Sequence, residues 1–160
     1  MNLISVGGRD PRNGRAYTYV ETIAGGQGGR PMGPGMDGVQ CNMTNTMNTP
    51  IEALEISYPL RVERYELSEN SGGTGQHRGG NGVIRALRVL DHDARVSLQS
   101  DRRVFSPYGL QGGADGKVGR NFVIAADGSE QPYPGKATLT LESGEVVVVE
   151  TPGGGGWGKA

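Results

Sequence analysis

The chain has 160 residues, a net charge of −1, 29 glycines and only 34% hydrophobic residues. That length suits one domain, residues 1–160, and the mixed charge offers no footprint for nucleic acid or an anionic membrane. Cys41 is the single cysteine, which excludes an internal disulfide, and no run approaches the roughly 20 apolar residues of a membrane span.

In chain order, Met1–Gly8 reads as a short apolar strand. It has no basic region and no apolar stretch long enough for a signal peptide, so a cytoplasmic protein is expected. Gly7–Arg15 is turn-rich, and Ala16–Ile23 carries Tyr17, Tyr19 and Val20 as a second strand. Gly25–Gly38 holds seven glycines and two prolines, a density that no regular element survives. With few apolar residues to pin it, this long loop is expected to be mobile in isolation. Met43–Leu60 gives the best helix signal. Thr49 suits the N-cap, Pro50 the first helical position and Glu52 the first turn, and Ile51, Leu54 and Tyr58 form an apolar stripe. Pro59 ends the helix.

Beyond Pro59 the pattern is β. Leu60–Leu67 sets Arg61, Glu63 and Arg64 against Val62, Tyr65 and Leu67. Val83–Leu90 alternates with Arg85 and Arg88 taken to one side, and Ala94–Gln99 follows. Asp127-Gly128 joins Asn121–Ala126 to Ser129–Tyr133 as a hairpin, and Ser143-Gly144 is expected to join Lys136–Leu141 to Val146–Thr151 as another. Ser71–Gly82, Ser106–Gly119 and Pro152–Ala160 are glycine-rich. The glycines are read as turn and loop residues of a folded domain, because spaced apolar runs accompany them. The expected fold class is mainly β, or α+β, with one or two short helices and long glycine-rich loops.

Several segments together resemble one family. They are Met43–Glu55 (MTNTMNTPIEALE), Tyr58–Leu67 (YPLRVERYEL), Ser71–Gly75 (SGGTG), His77–Gly82 (HRGGNG), Ser100–Arg102, Pro107–Leu110 and Thr151–Gly158 (TPGGGGWG). The series is similar to the C-terminal portion of the hydantoinase B/5-oxoprolinase family. That resemblance implies ATP-driven chemistry on carbonyl compounds, either the opening of lactams and cyclic imides or the carboxylation of ketones. It implies a hydantoinase A-like partner with the nucleotide site, and a divalent-metal site on the N-terminal hydantoinase B-like part. The chain is several times shorter than the family's B subunits. It is therefore expected to be one piece of a hetero-oligomer acting on a cyclic amide or ketone, with ATP and metal bound by partner chains. A non-catalytic β scaffold for assembly is the alternative.

The residues offer candidates for that chemistry. Thr44, Asn45, Thr46 and Asn48 place hydroxyls and amides ahead of a helix start, whose free N–H groups can take a phosphate or carboxylate. The same residues also suit satisfying the loop backbone and capping the helix. Glu52 and Glu55 are candidate bases or metal-side carboxylates, or partners of Arg61 and Arg64. Asp101 and Arg102 after a strand, and Arg78 in a glycine loop, suit two-point recognition of carboxylate or phosphate, or structural Asp–Arg pairing. Clustering of Asn48, Glu52 and Arg102 in one cleft would favour catalysis; scatter would favour a scaffold. His77 and His92 have no metal-ligand spacing, and neighbouring residues in Asp91-His92-Asp93 point apart, so no metal is assigned. The Pro152–Gly158 run lacks the Gly-Lys-Ser/Thr of a phosphate loop; its glycines are expected to let the tail lie flat on another surface, anchored by Trp157. Cys41 reads as a packed thiol.

Overall fold

A computed structural model describes residues 1–160, the side chain of Met43 excepted. Period-two alternation yields nine strands: β1 (Asn2–Arg9), β2 (Ala16–Thr22), β3 (Leu60–Ser68), β4 (Gly82–Val89), β5 (Ala94–Ser100), β6 (Arg120–Ile124), β7 (Glu130–Tyr133), β8 (Lys136–Leu141) and β9 (Val146–Glu150). A 3-10 turn (Asn42–Thr44) and one α-helix, α1 (Ile51–Ser57), precede β3. The strands form two antiparallel sheets, in the orders β2-β1-β5-β8 and β3-β4-β9-β6-β7. The fold is thus mainly β. No helix is long and apolar enough to cross a membrane.

The sheets face each other. Ile4, Val6, Val96, Leu98 and Leu141 from the first sheet join Leu87, Val89, Val123, Val147 and Val149 from the second in one buried cluster. Leu54 of α1 and Leu60 of β3 close it and are fully buried. Burying side chains of this size stabilises by about 1.5–3 kcal/mol each. Thr49 does not cap α1: Pro50 holds the cap position and no side chain bonds the helix start. The C-terminal end is served instead by Arg12, whose Nη1 donates to Ile56 O at 3.1 Å.

Two strand expectations are corrected. Arg85 and Arg88 are three residues apart on a strand and so lie on opposite faces. Arg85 is 1% exposed, whereas Arg88 reaches Glu63 on the outer face. β8 and β9 are not a hairpin, because β8 pairs with β5 and β9 lies between β4 and β6. Gly144, at φ +90°, carries the chain from one sheet to the other. The composition explains the split. β8 alternates Leu139 and Leu141 with exposed polar residues, while Val146, Val147, Val148 and Val149 are all buried, as a central strand requires.

The surface on which the glycine-rich tail lies is made by other segments of this chain. Pro152–Gly158 continues from β9 and runs between five other stretches of this chain. Its partners recur every three residues. Pro152 and Gly155 carbonyls accept from Gly26 (3.0 Å) and Gly29 (2.8 Å). Gly153 and Gly156 amides donate to Lys117 (3.2 Å) and Ala114 (2.8 Å), and Gly154 and Trp157 amides to Gly80 (2.9 Å) and His77 (2.8 Å). Three residues per turn with all bonds made laterally is the habit of a polyproline II helix. Side chains have no room in this lattice. A Cβ on Gly153, Gly154, Gly155 or Gly156 would stand 2.0–2.1 Å from the carbonyl oxygen of Ser71, Gln27, Tyr108 or Thr74. None of the four has positive φ, so the chain needs a missing side chain here, not a left-handed backbone. The 25–38 stretch, expected to be mobile, is pinned by main chain: Gln27 N to Met36 O at 3.0 Å, Gly35 N to Arg78 O at 2.8 Å and Gly38 N to Asn81 O at 2.8 Å.

Two alanine substitutions separate these uses of glycine. Gly128, at φ +84° with nothing within 4 Å of its Cβ position, should lose about 1–2 kcal/mol as alanine. Gly154→Ala must push two segments apart and should lose about 3 kcal/mol or more. Urea midpoints of the two variants test this; an equal or smaller loss for Gly154→Ala contradicts the lattice.

Candidate functional site

Two clefts flank the stretch from Val39 to Thr49. The first encloses about 400 Å³. Its walls come from the start of β1, the 23–28 and 39–44 stretches, Arg102, the Pro107–Leu110 region and Pro152–Gly155. Arg102 is the only charged side chain among its lining residues. It sits at φ +58°, stacks 5.5 Å from the Tyr108 ring centroid, and donates from Nη1 to Ser106 O at 3.0 Å. The second cleft, about 460 Å³, is lined by Gln40, Thr46, Asn48, Thr49 and Tyr65 among others.

A buried polar network stands behind the second cleft. Glu21 of β2 and Arg85 of β4 meet across the two sheets, with Nε–Oε2 at 3.0 Å and Nη2–Oε1 at 3.1 Å. Their side chains are 3% and 1% exposed. The Arg85 guanidinium lies 4.5 Å from the Tyr65 ring centroid. Asn48 Nδ2 donates to Glu21 Oε1 (2.7 Å) and Thr22 O (2.9 Å), and its Oδ1 accepts from Gln40 Nε2 (3.0 Å) and Tyr65 OH (3.0 Å). All four bonds of that amide are therefore made within the chain. Tyr19 OH and Arg85 Nη1 are buried without a well-aligned partner among the described residues. Burial, then the neighbouring Glu21 carboxylate, hold the Tyr19 hydroxyl's pKa far above the ordinary tyrosine value. With Arg85 neutralised and Asn48 saturated, the network acts as a strut between the sheets.

The sequence-derived candidates are distributed as follows. Thr44 and Arg102 line the first cleft, and Thr46 and Asn48 the second. Thr46 Oγ1 is tied to Thr22 Oγ1 at 3.0 Å and Thr44 Oγ1 donates to Cys41 O at 3.1 Å. Asn45 and Glu52 are exposed and line neither cleft. Glu55 Oε1 accepts from Val62 N at 2.9 Å, fixing α1 to β3 rather than meeting Arg61 or Arg64. Arg78 forms a two-point pair with Asp37, at 2.7 and 2.9 Å, and Asp101 holds the Met1 ammonium at 3.0 Å. Asn48, Glu52 and Arg102 do not share a cleft, a scatter that counts toward the scaffold alternative. His92 is engaged on both ring nitrogens, by Leu90 O at 2.7 Å and Tyr17 OH at 2.6 Å. Cys41 is exposed rather than packed.

Three structural residues escaped the sequence reading. Glu21 and Arg85 were legible from parity alone: Tyr17, Tyr19 and Glu21 share a face of β2, and Val83, Arg85, Leu87 and Val89 a face of β4. Arg103 gave no such signal. It joins the sheets by donating to Asn2 Oδ1 at 3.0 Å and to Asn121 Oδ1 at 2.8 Å, and burial lowers its pKa to about 10.

Comparison with known proteins adds kinship. The sequence model of the family described as hydantoinase B/oxoprolinase matches residues 1–160. The chain is 46% identical over 143 residues to 5-oxoprolinase 1 of Arabidopsis thaliana, covering 89% of this chain and 11% of that protein. It is 46% identical over 159 residues to an uncharacterised protein of Methanocaldococcus jannaschii, covering 99% of this chain and 27% of that one. An ATP-dependent caprolactamase from Pseudomonas jessenii superposes with a TM-score of 0.82 at 29% identity, over 98% of this chain and 28% of the enzyme. Acetone carboxylase in its nucleotide-free structure superposes with a TM-score of 0.75 at 20% identity, over 99% of this chain and 25% of that one, a likeness of fold alone. The chain spans only 11% to 28% of the length of these relatives.

Removing one partner of the strut should be costly, because it strands a buried charge. Glu21→Gln or Arg85→Met is expected to lose about 3–5 kcal/mol, and Asn48→Asp a similar amount, since it sets a second carboxylate against Glu21. The double variant Glu21→Gln with Arg85→Met should be less destabilised than the sum of the singles, as measured by chemical denaturation; strict additivity contradicts the pairing. A second test uses pH. The Arg78 guanidinium, then the Asn81 amide, hold the Asp37 carboxyl below its ordinary value of 3.8. Its contribution is complete above that value and lost as pH falls through the lowered one. The Gly38 and Asn81 amide signals in NMR should titrate together in that acid range.

Proposed function

The chain belongs to the hydantoinase B/oxoprolinase family, and we propose that it is the part of an ATP-dependent cyclic amide hydrolase that completes an active site with partner chains. The observation that carries this reading is the family match over the whole chain, joined to 46% identity with a 5-oxoprolinase. Oxoproline and caprolactam, for which one relative and one structural neighbour are named, share a lactam ring. The ketone-carboxylating alternative has support at 20% identity only, which favours lactam opening.

A lactam carbonyl resists water because resonance with nitrogen lowers its electrophilicity. Phosphorylating the amide oxygen with ATP removes that resonance. Water adds to the activated carbon, and the C–N bond breaks as the ring nitrogen takes up the hydroxyl proton and leaves as the amine. A second water hydrolyses the resulting acyl phosphate to carboxylate and phosphate. The residues of this chain do not fit the metal such chemistry uses. Among the described residues no three His, Cys, Asp or Glu side chains gather, His92 is occupied, and Glu55 is bound to Val62 N. On this proposal nucleotide and metal are held by a hydantoinase A-like subunit and by the N-terminal hydantoinase B-like part. What this chain brings is a cleft wall, with Thr44 and Arg102 facing the small molecule while Asn48 and Glu55 hold the surrounding segments in place.

Reconstitution tests the assignment. The purified chain should hydrolyse no ATP in the presence of 5-oxoproline, and 5-oxoproline-dependent hydrolysis should appear when both partners are added. Robust hydrolysis by the chain alone contradicts the proposal. Equal activity of the partners with and without the chain would establish the scaffold reading in its place. Acetone-dependent turnover with bicarbonate, in the absence of lactam turnover, would favour the carboxylase.

A further inference from the structure

One buried rung of the glycine lattice is missing, and it opens into the first cleft. Gly158 N donates to Leu110 O at 2.9 Å. Three residues back along both segments, Gly155 N should donate to Pro107 O. That oxygen accepts from Gly116 N at 2.9 Å instead, and among the described residues Gly155 N has no hydrogen-bond partner. Gly155 is buried, where an unpaired main-chain donor is rare and costly. Gly28 N, on an exposed glycine, is also without a partner among the described residues, although Gln27 N and Gly29 N on either side are bonded. Both glycines line the cleft beside Arg102.

Arg102 adds a second, independent sign. Its φ of +58° is a strained conformation for a residue with a side chain. Within the chain its guanidinium has one hydrogen-bonded partner, Ser106 O, so most of its donors remain available. The cleft has no acidic lining residue, and Ile23, Val39, Pro107, Tyr108 and Leu110 give it apolar walls. The Met1 ammonium nearby is already taken by Asp101. A volume of about 400 Å³ suits a small molecule.

We infer that this cleft is a carboxylate subsite: Arg102 and the unpaired amides of Gly155 and Gly28 take the carboxylate of a small lactam acid, whose ring lies against the apolar walls. The inference rests on the lactam-hydrolase reading and narrows its substrate class to lactams that carry a carboxylate. One guanidinium with two neutral donors matches a singly charged carboxylate better than a phosphate, which calls for more positive charge.

The test titrates the 15N-labelled full chain with 5-oxoproline and with 2-pyrrolidinone, the same ring without its carboxylate. 5-Oxoproline should shift the Gly28 and Gly155 amide signals saturably, and 2-pyrrolidinone should leave them unmoved. Arg102→Gly relieves the positive φ, so its melting temperature should hold or rise, while affinity for 5-oxoproline falls about tenfold or more. Unmoved glycine signals, equal shifts with both ligands, or undiminished binding by the variant would each overturn the subsite. Failure here with intact 5-oxoproline-dependent ATP hydrolysis in the assembled complex would retire the subsite alone and leave the family assignment standing.

Discussion

The main-chain amides and carbonyls of the glycine segments have no ladder of their own, so most find their partners on another segment, and that requirement organises the chain between and beyond the strands. Packing six such segments side by side is feasible only where no Cβ intervenes. The central stretch Gly153–Gly156 presents each neighbour with bare backbone in turn, and the three-residue repeat distributes its bonds around the axis. Removal of any one segment orphans donors and acceptors on the others. The lattice is for this reason cooperative, and it continues the central strands of the second sheet: β9 leads into Pro152, and Gly79–Gly82 leads into β4.

The sheets themselves are fastened differently. Their shared core is apolar, but the edge nearest the clefts is locked by Glu21, Arg85, Asn48 and Tyr65. A buried ion pair adds little net stability over well-packed apolar residues, yet its geometry fixes how β2 meets β4 and where the 39–49 stretch lies. Arg103 does similar work between Asn2 and Asn121, at the same level of the strands: Arg85 and Asn121 both pair with Val149. The two clefts therefore inherit their shape from fixed elements on both sides, lattice and sandwich.

Much of this was legible in the residues. Alternation located the strands, Asp127-Gly128 the β6–β7 turn, and Pro59 the end of α1. The order of motifs identified the family. Three things were not legible. The partner of β9 depends on which sheet a fully buried valine strand enters, and turn chemistry at Ser143-Gly144 does not decide that. The glycine runs lack side-chain pattern, so their mutual pairing could not be read from periodicity, and main-chain bonds stand where apolar anchors are scarce. The candidate polar residues at 44–55 were correctly seen as dense in hydrogen-bonding groups, but whether those groups face a ligand or the backbone depends on Glu21, Gln40 and Tyr65, distant in sequence.

A framework of bare backbone presents one arginine and two unpaired amides to the first cleft. Amide hydrogen exchange across the glycine segments tests the framework most directly. The account predicts that Gly29, Gly73, Gly80, Gly154 and Gly156 exchange as slowly as the central strands β4 and β9, with Gly155 faster than its neighbours. Exchange of all these glycines at the rate of open loops, while the two sheets stay protected, would contradict it.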